Sequence, residues 1–139
     1  MSTEQNKKII LRLFSEGIME RKFHVFDELI ADGFINHGIL NAKTGPAGYG
    51  DYVHELLNAF PDLKVNIQQI IADGDTVATR GFIYGTHDGN YMGQLPTGKK
   101  IRFNYFDFWK IRNNKCAECW LQMDLAGVMD QLRPLQVAL

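Results

Sequence analysis

Between Ile101 and Asp124 the chain reads IRFNYFDFWKIRNNKCAECWLQMD, with three carboxylates, Asp107, Glu118 and Asp124, set among tryptophans, phenylalanines and a tyrosine. The stretch reads as two strands joined at Asn113-Asn114, residues that tolerate the positive φ of a tight hairpin turn. Side chains alternate faces along a strand. Ile101, Phe103, Tyr105, Asp107, Trp109 and Ile111 therefore share one face of the first strand, and Cys116, Glu118, Trp120, Gln122 and Asp124 one face of the second. A carboxylate walled in by aromatic rings loses hydration, which disfavours its charged form and raises its pKa from about 3.9 toward the range of a general base. Aromatic walls holding a few carboxylates describe a small-molecule pocket, and the chemistry expected there is proton transfer centred on Asp124. A second role stays open: Leu125 starts a helix, and aspartate is a preferred N-cap.

Four histidines, His24, His37, His54 and His87, show no H-x-H or H-x-x-x-H spacing, so no metal site is expected. His24 and His54 read as surface or capping residues. His37 and His87 each end an extended segment beside glycines, where a satisfied structural histidine and a site residue are both open. Arg80 lies among Ala78, Phe82 and Tyr84, open to a buried pair with Asp107 or Glu118. Parity sets it on the face opposite His87 unless Gly85 marks a bulge. Cys116-x-x-Cys119 sits in a strand rather than at a helix start and reads as two structural thiols on opposite faces. Gly93-x-x-x-x-Gly98-Lys99-Lys100 fails as a phosphate loop, because Lys100 replaces the magnesium-ligating hydroxyl and no helix follows.

These residues must be positioned by the elements around them. Asn6 to Arg21 carries Ile9, Ile10, Leu13, Phe14 and Ile18 at helical spacing. A shorter helix follows through Phe23, Phe26, Leu29 and Ile30, then a brief extended Phe34-Ile35-Asn36-His37. Pro46 fits the first turn of a third helix that stops at Pro61. The period then switches to two. Val65, Ile67, Gln69 and Ile71 form one face of a strand, Asp73-Gly74-Asp75 is a hairpin turn, and Thr76 to His87 is the return strand. Leu125 to Leu135 closes the chain as a helix. Helices first and antiparallel strands after argue an α+β fold, with helices covering one face of a strongly bent sheet.

The 139 residues suffice for one domain and one core. A net charge of -1 with no basic block argues against a nucleic-acid partner. No apolar run reaches the roughly 18 residues of a membrane span, and MSTEQNKK lacks a signal-peptide core, so a cytoplasmic protein with no membrane partner is expected. Phe106 and Phe108, on the face opposite Asp107 and joined there by Leu121 and Met123, point to a homodimer that covers a second apolar face.

Several blocks recur in a recognisable order: Phe34-x-Asn36-His37, Ala59-Phe60-Pro61-Asp62-Leu63, Ala72-Asp73-Gly74-Asp75-x-Val77-Ala78-x-Arg80, Gly85-Thr86-His87-x-Gly89, Pro96-Thr97-Gly98-Lys99, and Trp120-x-x-x-Asp124-x-x-Gly127-x-x-x-Gln131-Leu132. From about residue 5 to residue 133 the chain resembles the SnoaL-like polyketide cyclases of the nuclear transport factor 2-like superfamily. The resemblance implies a cone-shaped α+β barrel, a curved antiparallel sheet around a pocket closed by helices. It implies intramolecular aldol ring closure on a small apolar carbonyl or ester compound, with no metal or cofactor and with Asp124 as the general acid/base. His37, His87 and Arg80 become candidate catalytic partners for the enolate oxygen. Trp120, Trp109, Tyr105, Phe103, Asp107, Asn36 and Gln122 become the substrate-binding set. Isomerisation or hydration in the same pocket, and ligand binding without catalysis, are the alternatives the superfamily offers.

Overall fold

In the computed structural model, which describes residues 2–134, Ser2 opens the first helix with a capping box. Its hydroxyl accepts from the Gln5 amide, and the Gln5 side chain accepts from the Ser2 amide. Helix α1 spans Thr3–Arg12 and continues as a π-helical segment over Leu13–Met19. The apolar periodicity predicts one uninterrupted α-helix there. The wider π turn carries Phe14 and Ile18, and both end up in the wall of an internal cavity. Helix α2 (His24–Leu29) leads directly into strand β1 (Ile30–Asn36), so Ile30 belongs to the strand rather than the helix. Helix α3 (Gly45–Ala59) has its proline in the first turn, as expected.

Strands β2 (Lys64–Asp73), β3 (Thr76–Thr86), β4 (Lys100–Arg112) and β5 (Lys115–Met123) form an antiparallel meander, and helix α4 (Leu125–Leu132) follows. The expected end of that helix at Leu135 lies outside the described residues. The five strands form one curved, unclosed sheet in the order β1-β5-β4-β3-β2. The α+β class and the helix-covered sheet thus stand as expected, with one amendment: β1 joins the edge parallel to β5. Asn113 and Asn114 both take positive φ in the β4–β5 turn (50° and 64°), the chemistry their type predicts.

Two β-bulges decide which side chains face inward. In β2 the register passes from Ile67↔Gly81 to Gln69↔Arg80, leaving Gln68 as the extra residue. Gly81 sits opposite the bulge, where a Cβ would lie 2.0 Å from the Asn66 carbonyl oxygen. In β5 the register passes from Ile111↔Cys116 to Lys110↔Glu118, leaving Ala117 extra. Each bulge reverses the parity beyond it. Val65 and Ile67 pack inward as read from the alternation, but past the bulge Ile70 and Ala72 pack inward while Ile71 is exposed. In β5, Cys116, Cys119 and Leu121 are buried, while Trp120 and Gln122 are exposed.

The core lies between the inner sheet face and α1, α2 and α3. Phe34, Tyr49 and Trp109 pack together, with Phe34 and Trp109 stacked at 6.0 Å between ring centroids. Among the described residues no helix is long and apolar enough to cross a membrane.

Candidate functional site

Asp107 is a charged-type side chain in the middle of this core. It points inward from β4 and is only 3% exposed. Thr79, directly opposite on β3, ties down one carboxyl oxygen: its amide donates to Oδ1 at 3.2 Å and its hydroxyl to the same atom at 2.6 Å. The Thr79 proton being committed, Tyr105 donates its own hydroxyl to Thr79 Oγ1 at 3.1 Å. Asp107 Oδ2 has no hydrogen-bond partner among the described residues. Burial raises the carboxyl from its ordinary 3.8 to about 6, with the Thr79 bonds and the Trp109 indole opposing the rise. The indole N–H of Trp109 lies close enough to favour the charged carboxylate, yet it makes no hydrogen bond of normal geometry. Burial likewise lifts Tyr105 to about 12, so its hydroxyl stays protonated.

The carboxyl faces a cavity of about 40 Å³. Asn36, Asp107, Trp109, Cys119 and Leu121 line it from the sheet, and Phe14, Ile18, Tyr49, Tyr52 and Leu57 from the helices. The cavity is partly open, and on this scale a water needs roughly 10–15 Å³. Apart from Asp107, Asn36, the Trp109 indole N–H, the tyrosine hydroxyls and the Cys119 thiol, the walls are apolar. The Cys119 thiol is buried there and held well above its ordinary range by desolvation, so it is an inert wall group.

Of the expected site residues, the structure brings Asp107, Trp109, Tyr105 and Asn36 to this cavity. Phe103 is buried in the same inner face and packs near Phe60. The others lie elsewhere. Asp124 is exposed at the N-cap of α4, and its Oδ1 accepts from the Gly127 amide at 2.9 Å. A Cβ on residue 127 would lie 2.2 Å from Asp124 Oδ2. The Asp124-x-x-Gly127 spacing is thus accounted for by the cap. Trp120 and Gln122 were expected in the wall, but the Ala117 bulge turns them to the outer face. The same bulge brings Leu121 inside and sets Cys116 and Cys119 on one face instead of two.

His37 is on the outside as well. It stacks on Trp120 at 4.8 Å, and its Nε2 is 3.1 Å from Glu118. Arg80 is exposed and donates to Gln69 at 2.9 Å, so no buried pair with Asp107 or Glu118 forms. His87 is fully buried but outside the cavity. Its Nδ1 accepts from the Thr97 amide at 3.2 Å, and its backbone clasps the connector through Lys99 and Gly98. That connector, which includes the near-phosphate-loop Gly93 to Lys100, simply leads from β3 into β4. Thr79 is the site residue that sequence reasoning missed. It stands opposite Asp107 across the β3–β4 pair, but the connector over 87–99 joins those strands, so no tight-turn rule gives that register from the sequence.

The SnoaL-like polyketide cyclase family model matches residues 8–132. No curated protein matches the chain. Among solved structures, a candidate polyketide cyclase from Acidithiobacillus ferrooxidans is 29% identical, covers 96% of this chain and 98% of its own, and superposes with a TM-score of 0.82. A candidate SnoaL-like polyketide cyclase from Jannaschia sp. CCS1 is 25% identical, with 95% of each chain covered and a TM-score of 0.84. TsrD from Streptomyces laurentii, at 18% identity, shares the fold with a TM-score of 0.88 over 97% of this chain and 99% of its own. With the family model spanning nearly its whole length, the chain belongs to the SnoaL-like polyketide cyclase family.

Proposed function

We propose that the protein transfers protons on a small apolar carbonyl compound held in the inner cavity, with Asp107 as the proton acceptor, and that ring closure by an aldol step is the outcome. The observation that carries this reading is the state of Asp107. It is a buried carboxyl with one oxygen fixed by Thr79, no further hydrogen bond of normal geometry although the Trp109 indole lies near it, and a pKa moved up to about 6 by burial. A structural carboxylate is normally satisfied on both oxygens, because leaving one bare in low dielectric is costly. A general base works best with a pKa near the operating pH. Family membership and the candidate cyclases at 25–29% identity support the same class of chemistry.

The steps balance without further reagents. Asp107 Oδ2 takes the proton from a carbon alpha to a carbonyl. The C–H electron pair becomes the C=C bond, and the carbonyl π pair moves onto oxygen as an enolate. The enolate carbon then bonds to a second carbonyl carbon of the same molecule, whose oxygen becomes an alkoxide. That alkoxide recovers the proton from Asp107. Thr79 and, behind it, Tyr105 hold the carboxyl in place through the cycle.

The test needs no knowledge of the natural substrate. A panel of small cyclic ketones and β-keto esters is incubated with the protein in D₂O, and loss of α-proton signal is followed by NMR. Exchange above buffer, rising as pH passes through about 6 where Asp107 ionises, is expected. Tight ligand binding with no exchange would replace this reading with that of a binding protein.

A further inference from the structure

Buried N–H groups without partners are rare in folded proteins, since each forfeits its hydration for nothing. Two of them, Asn36 Nδ2 and Trp109 Nε1, belong to residues that line this same cavity. Asn36 is 5% exposed and Trp109 1%. They stand in one cross-strand row, both paired with Cys119, from β5's two neighbours β1 and β4. With strands about 4.8 Å apart, their backbones are about 10 Å from each other, a gap that two inward side chains can close on one small group. Asp107 is two residues from Trp109 on the same face of β4, about 7 Å along the strand.

Asn36 is not loose. Its Oδ1 accepts from the Gly38 amide at 3.1 Å, which fixes the amide plane and leaves the NH₂ as the unpaired end. Gly38 in turn lies against the β5 backbone, where a Cβ would come within 2.1 Å of the Leu121 carbonyl oxygen. The Phe34 ring stacks on Trp109 and the Phe14 ring meets it edge-on, holding the indole. Both donors are therefore held before any ligand arrives, the condition under which hydrogen bonds stabilise developing charge most effectively.

We infer that Asn36 Nδ2 and Trp109 Nε1 form a two-donor site for one oxygen of the ligand, the carbonyl oxygen that becomes the enolate when Asp107 removes the α-proton. This rests on the proton-transfer reading for the role of Asp107, but the oxygen site itself can be probed by binding alone. The ligand class follows: a compact, largely apolar molecule with an acidifiable C–H beside a carbonyl, or a stable mimic of its enolate such as a phenolate.

The probe is 4-nitrophenol, whose phenolate form is yellow, titrated against Asp107→Asn protein, where an amide stands in for the protonated carboxyl. Bound probe is expected to shift toward phenolate relative to free probe at the same pH. Adding Trp109→Phe or Asn36→Ala in that background is expected to weaken phenolate binding about tenfold or more each, the ordinary worth of a hydrogen bond to a charged group. Binding of 4-nitrotoluene, which has no phenol oxygen, should be nearly unchanged and reports that the cavity is still folded. Phenolate affinity that ignores both substitutions, or no probe binding while 4-nitrotoluene binds, overturns the two-donor site. If the donors hold phenolate but ketones show no α-exchange in the wild-type protein, the oxygen site stands and the proton-transfer reading falls.

Discussion

Asp107 and Thr79 face each other across β4 and β3, and the Thr79 hydroxyl donates to Asp107 Oδ1 at 2.6 Å inside the core. The pair orients a carboxyl that folding has otherwise stripped of water. Thr79→Val keeps the β-branched shape and removes the hydroxyl. Loss of a charge-assisted bond of this kind is expected to raise the Asp107 pKa further and to shift the pH midpoint of α-exchange upward, read from the NMR rate profile. An unchanged midpoint would mean that the bond does not act on the charged form.

The raised pKa of Asp107 also sets a pH dependence of stability. Its folded value of about 6 lies above the ordinary 3.8. The native state therefore prefers the protonated form. The associated stability is fully present below about pH 3.8 and is lost as pH rises through about 6. The gap of about two pH units corresponds to about 3 kcal/mol at most. Urea unfolding of wild type and Asp107→Asn should give similar stabilities near pH 4, with the variant the more stable at pH 7.

Asp124 should behave as a cap. Asp124→Ala is expected to cost about 0.5–2 kcal/mol, and Asp124→Asn close to nothing, since asparagine caps nearly as well. Gly127→Ala should reproduce the loss, because the added methyl occupies the space of the Asp124 carboxylate. Thermal unfolding of the three variants checks this ordering.

The outer sheet face is expected to meet a second copy of the chain. Ile71, Ala78, Phe108 and Trp120 form one uncharged row across β2, β3, β4 and β5, and Phe106 lies in the next row. Ile71, Phe106 and Phe108 are each more than half exposed. A row without charge can face its own twofold copy free of like-charge repulsion, and an apolar patch of this kind marks an interaction site. Light scattering should give the dimer mass for wild type and the monomer mass for Phe108→Lys. Wild type that stays monomeric at micromolar concentration would contradict this.

Much of this arrangement is legible from residue types and alternation. The helices, the four meander strands and the Asn113-Asn114 turn follow from local rules, as does the inward row Phe103, Tyr105, Asp107, Trp109 on β4. β4 has no bulge in its pairing with β3, so its parity reads true from end to end. β5 does not, and one extra residue at Ala117 exchanged the fates of Trp120 and Leu121 and removed Glu118 and Gln122 from the wall. Nothing local marks Ala117 as a bulge. The parallel docking of β1, which brings Asn36 beside Cys119, is likewise set by tertiary packing and invisible to periodicity. At position 124, helix cap and general base call for the same residue type. There the side chain is exposed and accepts from the Gly127 amide as the N-cap of α4.

On the proposed reading, Asp107 and not Asp124 takes the substrate proton. The most direct measurement compares α-deuterium exchange into one responsive ketone by wild type, Asp107→Asn and Asp124→Asn at pH 7, all three confirmed folded. A loss of about 10²–10⁴-fold is expected for Asp107→Asn, the usual worth of a positioned general base, and the wild-type rate for Asp124→Asn. Full exchange by Asp107→Asn together with a collapse in Asp124→Asn would contradict that reading.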